Sequence, residues 1–310
     1  MAVMVEASNL SKVYNGNTVV DSLNLQIEEG QLFGFLGPNG AGKTTTILML
    51  LGLTEPSKGI ASIGGFNSTR KPLEVKKITG YVPEKVGFYE ELSATNNLIY
   101  TANLNNVWDD AAEKSASEAL EAVGLTDRAD SPVSTFSKGM KQRLAIADIL
   151  VKKPKVAFLD EPTSGIDPAG IAQMLDLISH IAKQNNMTIV MSSHQLNQVE
   201  RICNRVGIMA KGKLIVEGSL AQLSRKAVGG NVTIEVQLAE VNDDIVAGIK
   251  AVKGVLNVEK KEENTLRITC NQDLRREISR AIQDKNGLVL QMKQQSYALE
   301  DIYLKYFKEG

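Results

Sequence analysis

Cysteine is almost missing from this chain of 310 residues: Cys203 and Cys270 are widely separated and fall in no CxxC or Cys/His spacing. That sets aside a disulfide framework, redox chemistry and zinc, and both read as reduced packing residues. Long apolar runs are missing too. The richest stretch, Ile47 to Leu51, is broken at Gly52, well short of the roughly 18 residues a membrane span requires. The first residues, MAVMVEASNL, carry Glu6 and lack both a basic stretch and a long apolar one, so no secretory signal is expected and the cytosol is the expected compartment. Nor is there an excess of one charge. Thirty-five Lys plus Arg stand against 36 Asp plus Glu, a net charge of −1, which argues against a nucleic-acid coat or a polybasic membrane surface.

What is present is ordinary globular material, 43% hydrophobic and 23% charged. At roughly 150 residues per domain the length suggests about two domains. Over the first two thirds, short β-branched runs such as Leu32 to Leu36, Val156 to Leu159 and Thr188 to Met191 alternate with helical stretches. This pattern predicts an α/β fold with a largely parallel sheet. Between about residues 86 and 152 the strand signals give way to helical patterns, among them Ala111 to Val123 closed by Gly124, which reads as a helical insert.

The pattern breaks at Gly229-Gly230, a linker signal. Beyond it, Val232, Ile234, Val236 and Leu238 alternate with polar residues, and Ile245, Ile249 and Val252 recur at helical spacing. Strand-like Val255 to Glu259 and Leu266 to Cys270 follow, with a turn at Glu263-Asn264, then a helix through Leu274, Ile278 and Ile282 and a strand from Leu288 to Met292. The order βαββαβ predicts a ferredoxin-like domain over 230–310. Leu299, Ile302, Tyr303, Tyr306 and Phe307 form the apolar stripe of a last amphipathic helix.

The strongest chemical signal is Gly37-Pro38-Asn39-Gly40-Ala41-Gly42-Lys43-Thr44, between the run Leu32 to Leu36 and the helical run Thr45 to Leu51. It matches the phosphate-binding pattern G-x-x-x-x-G-K-[ST] in its strand, loop and helix setting. Glycines allow successive N–H groups to converge on phosphate oxygens, and the helix that follows turns its positive end to the same anion. Lys43 suits the β- and γ-phosphates, and the Thr44 hydroxyl suits Mg²⁺. Downstream, Val156 to Leu159 ends in Asp160-Glu161 at the carboxyl end of a strand, where α/β ligand sites lie. Asp160 suits Mg²⁺ through its water shell; Glu161 suits orienting or deprotonating an attacking water.

Over residues 3 to 220 the chain resembles the nucleotide-binding subunits of ATP-binding cassette (ABC) proteins. Phe136-Ser137-Lys138-Gly139-Met140-Lys141-Gln142-Arg143 resembles the family signature, usually LSGGQ, with Lys138 and Met140 replacing Gly and Gln. Ser164-Gly165-Ile166-Asp167 resembles the D-loop, and His194 the switch histidine that contacts the γ-phosphate. Ser137 is in its own right a good cap for the helix through Leu144 and Ile149. His180, within the stretch Ile171 to Ala182, reads as structural or solvated. Glu84 follows Gly80-Tyr81-Val82-Pro83 where the family usually has glutamine, and the choice there is between a metal or γ-phosphate contact and a purely coupling role.

The resemblance implies a P-loop NTPase domain over 1–225 with its helical insert at 86–152, ATP and Mg²⁺ as cofactors, and ATP hydrolysis. It implies binding residues Tyr14 (stacking on adenine), Gly37, Asn39, Gly40, Ala41, Gly42, Lys43, Thr44, Thr45, Ser137 and Gly139; catalytic residues Glu161, His194 and Lys43; and metal-binding Thr44, Asp160 and Glu84. Also implied are a head-to-tail homodimer around two ATP and a separate multi-span permease, which would hold the chain on the inner face of the cell membrane. The wording around Glu84 and SKGMKQR is similar to the exporter branch for drugs, lipids or glycans. A cytosolic, non-transport ATPase of the same superfamily is the alternative. The C-terminal domain is expected to be either a dimer-stabilising appendage or a ligand-binding regulatory module.

Overall fold

In the computed structural model, residues 2–227 and 232–294 are described, and the chain divides into two compact units, Met1–Glu217 and Gly218–Gly310. The linker glycines Gly229-Gly230 and the stripe from Leu299 to Phe307 lie outside the described residues.

The first unit opens with strands β1 (Val3–Tyr14) and β2 (Asn17–Glu28). They pair antiparallel, with Val5 opposite Ile27 and Ala7 opposite Leu25. Strand β3 (Leu32–Leu36) is buried throughout and feeds helix α1 (Lys43–Leu50) through the glycine loop. Then come β4 (Lys58–Ile63), β5 (Phe66–Asn67), α2 (Pro72–Ile78) and β6 (Thr79–Val82). Three helices follow without an intervening strand: α3 (Ala94–Leu104), α4 (Asp109–Ala122) and α5 (Lys138–Leu150). Gly124, at φ 67, takes the left-handed turn that closes α4. The unit ends with β7 (Val156–Asp160), α6 (Pro168–Gln184), β8 (Thr188–Ser193), α7 (Leu196–Ile202), β9 (Arg205–Ala210) and β10 (Lys213–Ser219).

These strands form two sheets, the largely parallel one that the alternation predicts and an antiparallel one that it does not. One is four-stranded in the order β2-β1-β4-β5, antiparallel at each pair. The other is six-stranded in the order β10-β9-β3-β8-β7-β6, with β9-β3, β3-β8, β8-β7 and β7-β6 parallel. A single apolar core joins Val5, Ala7, Leu25 and Ile27 of the first sheet to Phe33, Phe35, Phe158 and Val190 of the second, with Ile47, Met49 and Leu50 of α1. Fully burying side chains of this size is worth about 1.5–3 kcal/mol each.

The register fixes the site. Leu36 at the end of β3 lies opposite Ser193 of β8, and Asp160 at the end of β7 lies opposite Ser192. Three neighbouring parallel strands therefore end level, and the loops leaving them meet at one edge.

The second unit carries α8 (Leu220–Ala227), β11 (Val232–Leu238), α9 (Asp243–Lys250), β12 (Val255–Glu262), β13 (Thr265–Cys270), α10 (Arg275–Gln283) and β14 (Val289–Gln294). Its sheet runs β12-β13-β11-β14 with every neighbour antiparallel. Ile234, Val236 and Leu238 alternate on the face that packs with Ile245, Ile249, Ile278 and Ile282 of the helices. On the opposite face Glu235 holds Lys261 at 3.2 Å and Lys293 at 3.1 Å.

Candidate nucleotide site

Helix α1 begins at Lys43, two residues before the helical run that the sequence pattern starts at Thr45, so Lys43 and Thr44 belong to its first turn. Gly42 precedes it in the left-handed region at φ 99, and a Cβ there would meet the carbonyl oxygen of Val19 at 2.7 Å. At Gly37 a Cβ would meet the carbonyl oxygen of Met209 at 2.3 Å. The loop is thus pressed against the main chain of both β2 and β9, and only glycine fits at these two contacts. Pro38, Asn39, Gly40 and Thr44 are exposed, Thr45 is half-buried, and Ala41 and Lys43 are buried. The Lys43 ammonium folds back over the loop and donates to the carbonyl oxygens of Gly37 at 2.6 Å and Pro38 at 3.2 Å.

Lys43 Nζ also stands 3.5 Å from Glu161 Oε1, and Glu161 Oε2 is 2.9 Å from His194 Nδ1. Lys43 from the first turn of α1, Glu161 from the segment after β7 and His194 from the segment after β8 are therefore one cluster. Glu161 Oε1 is buried without a hydrogen-bond partner. Buried beside an ammonium and left without a partner, an oxygen so placed is suited to receive a water. Asp160 is 2% exposed; its Oδ1 accepts from Ser192 Oγ, which in turn accepts from the Glu161 amide at 3.0 Å. Burial, and secondarily the Asp160 charge, pushes the phenol of Tyr81 up to about 12.

Among the described residues no group of three or more His, Cys, Asp or Glu could hold a metal ion. Thr44 is exposed, and Asp160 ends β7 level with the ends of β8 and β3; the two offer the oxygen donors a hard cation takes, with phosphate and water oxygens to complete its shell. This donor set fits Mg²⁺.

The remaining expected residues lie apart from the cluster. Tyr14, 43% exposed at the end of β1, has the Lys12 ammonium 4.8 Å from its ring centroid. Ser137 caps α5 by accepting from the Met140 amide at 3.3 Å, and Gly139 lies in that first turn. No described hydrogen bond or ion pair links Ser137 or Gly139 to Lys43 or Glu161. Glu84 is exposed, and its carboxylate accepts from Ser164 Oγ at 3.4 Å. His180 is exposed on α6. Unanticipated are Thr163 and Gln198, both buried and joined at 2.6 Å. The available signal is a glutamine among the buried positions of α7.

Residues 20–164 match the ABC transporter family. Over 310 residues the chain is 34% identical to the bacitracin transport ATP-binding protein BcrA of Bacillus licheniformis, covering all of this chain and 99% of that one. The chain belongs to the ABC transporter ATP-binding proteins. This ABC ATPase is also 35% identical over 255 residues to the linearmycin resistance ATP-binding protein LnrL of Bacillus subtilis, covering 82% of this chain and 81% of that one. A solved structure of an ATP-binding subunit of an ABC transporter matches 73% of the chain and 93% of its own, with a TM-score of 0.65 and 30% identity. As a family member it binds ATP and couples ATP hydrolysis to transport. Among the described residues no helix is long and apolar enough to cross a membrane.

Proposed function

We propose that this chain is the ATP-hydrolysing subunit of an exporter whose permease is a separate multi-span protein. The observation that carries the chemistry is the Glu161 carboxylate held between Lys43 and His194 at the end of the phosphate loop. Water oriented by Glu161 attacks the γ-phosphorus in line, the bond to the β–γ bridging oxygen breaks, and the water's proton passes to the carboxylate. A neutral imidazole has one N–H, so His194 donates to the γ-phosphate only when that proton is freed from Glu161. The incoming triphosphate draws Lys43 and His194 toward its own oxygens and leaves Glu161 to the water. Thr44 and Asp160 would hold Mg²⁺, which neutralises charge on the phosphate oxygens.

Gly37, Asn39, Gly40, Ala41, Gly42 and Thr45 form the cradle, and Tyr14 stacks on adenine. Ser137 and Gly139, at the N-terminus of α5, meet ATP held by a second copy in a head-to-tail homodimer, a helix end being suited to receive phosphate. The first 225 residues act as the nucleotide-binding domain with the helical insert at 86–152. That insert and the segment near Glu84 form the docking face for the permease, which keeps the chain on the inner face of the membrane. Relatives named for bacitracin transport and linearmycin resistance support outward transport. Residues 230–310 are read as a ferredoxin-like appendage that stabilises the dimer; the strand order with β14 and β12 outermost supports that fold.

Glu161→Gln should bind ATP, lose about a hundredfold or more in hydrolysis, and accumulate as a dimer in size-exclusion runs with ATP. Near-normal turnover would place the base elsewhere. For the partner, the tagged protein is drawn from gently solubilised native membranes; a multi-span protein in stoichiometric amount is expected.

A further inference from the structure

Gln198 is 2% exposed, on the short helix after His194, and lies outside both the phosphate loop and the Asp160-Glu161 pair. Its Oε1 accepts two hydrogen bonds, from Thr163 Oγ1 at 2.6 Å and from Ser193 Oγ at 3.1 Å. Its Nε2 donates to Gln195 Oε1 at 2.9 Å. Thr163 follows the Glu161-Pro162 step and Ser193 immediately precedes His194, so a single buried amide oxygen touches both turns that carry the reacting groups. The coupling on each side is short. The Ser164 amide donates to the Glu161 carbonyl at 3.0 Å, closing the turn that contains Thr163, and the Gln195 amide donates to Ser193 Oγ at 3.0 Å. Glu161 sits at φ 48, a left-handed conformation that a glutamate keeps only when its surroundings hold it.

We propose that Gln198 is a positioning residue for ATP hydrolysis, whose amide oxygen sets the spacing between the Glu161 turn and the His194 turn. The proposal rests on the proposed mechanism, in which Glu161 orients water and His194 meets the γ-phosphate. Two hydroxyl donors converging on one acceptor in a dry setting fix both turns in angle as well as distance, because neither hydroxyl has water to turn to and the Gln195 carbonyl that Ser193 Oγ also reaches is farther, at 3.4 Å. A carboxylate at 198 offers the same acceptor, whereas a leucine of similar size offers none.

The test uses full-length Gln198→Leu, Gln198→Glu, Thr163→Val and the Leu/Val double variant, with Glu161→Gln alongside, in steady-state ATP hydrolysis over a range of ATP. For Gln198→Leu, kcat is expected to fall about tenfold or more while KM for ATP stays within about threefold. Gln198→Glu is expected to stay within about threefold of wild type in kcat, a rescue that a merely space-filling role would not require. Thr163→Val should follow the leucine variant, and the double variant should be no slower than Gln198→Leu, which has already lost the bond to Thr163. Should Gln198→Leu fail to fold, Thr163→Val carries the test with the same thresholds. The proposal is overturned if a folded Gln198→Leu or Thr163→Val keeps kcat within about twofold of wild type, or if Gln198→Glu is as slow as the leucine variant. Full turnover in Glu161→Gln would overturn the proposed mechanism and the role of Gln198 with it; it is recognisable because that variant leaves Gln198 and both hydroxyls intact.

Discussion

At position 84 a carboxylate, rather than a neutral amide, accepts from Ser164 Oγ. Ser164 also closes the turn of Glu161 through its main chain, so Glu84 is linked to that turn through one side chain. Replacing it by the neutral isostere keeps an oxygen acceptor for Ser164 and removes a negative charge from that turn. Glu84→Gln should therefore bind ATP as before and shift the Mg²⁺ dependence of hydrolysis; superimposable Mg²⁺ titrations would refute a metal or phosphate role and leave the coupling role. Residues whose chemistry requires a fixed spacing are readable from sequence. Gly37 to Thr44 is such a case, because glycine and lysine at those offsets, between a buried strand and a helix, suit a bound phosphate and little else. The partnership of Thr163 with Gln198 is not readable: each is an ordinary polar residue, and their meeting depends on two strand ends standing level, which no local pattern announces.

Helix α5 illustrates an element whose start is legible and whose strength is testable. Ser137 has extended backbone and its hydroxyl accepts from the Met140 amide, as a helix cap should. Ser137→Ala should cost about 1 kcal/mol in denaturant unfolding of the first unit. If Ser137 also meets ATP across a dimer, the same variant loses ATP-dependent dimerisation by more than that destabilisation accounts for. Sequence periodicity locates the buried strands β3, β7 and β8, because runs covered on both faces are almost wholly apolar. It misses the antiparallel sheet for a physical reason. The pairing of β1 with β2 slips between Ala7 and Leu10, where Asn9 at φ 48 faces a partner strand that carries Ser22 at φ 49. Each slip moves the following side chains to the other face and erases the alternation that marks a strand. The pattern starts helix α1 two residues late because the left-handed Gly42, rather than a Ser or Asp cap, begins it.

For the whole molecule, the second unit offers a charge whose contribution can be followed with pH. Hydrogen bonds from Lys293 and Lys261 hold the Glu235 carboxyl below its usual range. A carboxyl lowered in the folded state adds stability above its unfolded pKa and loses it as the pH falls through the folded value. Glu235→Gln should weaken hydrogen-exchange protection of β11 at neutral pH, and the difference from wild type should shrink as the pH falls through the lowered folded value and vanish once the glutamate too is protonated. Equal protection at neutral pH would show that solvent screens the three charges completely. The βαββαβ succession of this unit is legible because α9 and α10 pack against the apolar face of the sheet, leaving clean alternation in β11.

The contacts of Gly37 and Gly42 with the main chains of β9 and β2 also bear on time. A loop clamped between the backbones of two sheets is already fixed before nucleotide arrives, and little ordering of main chain remains to be done on binding. What must move is the Lys43 side chain, and rotamer changes of that kind are complete within nanoseconds when unhindered. Nucleotide capture is then limited by diffusion and by exchange of the ammonium's oxygen neighbours, while the slow events of the cycle fall to motions larger than the cradle itself.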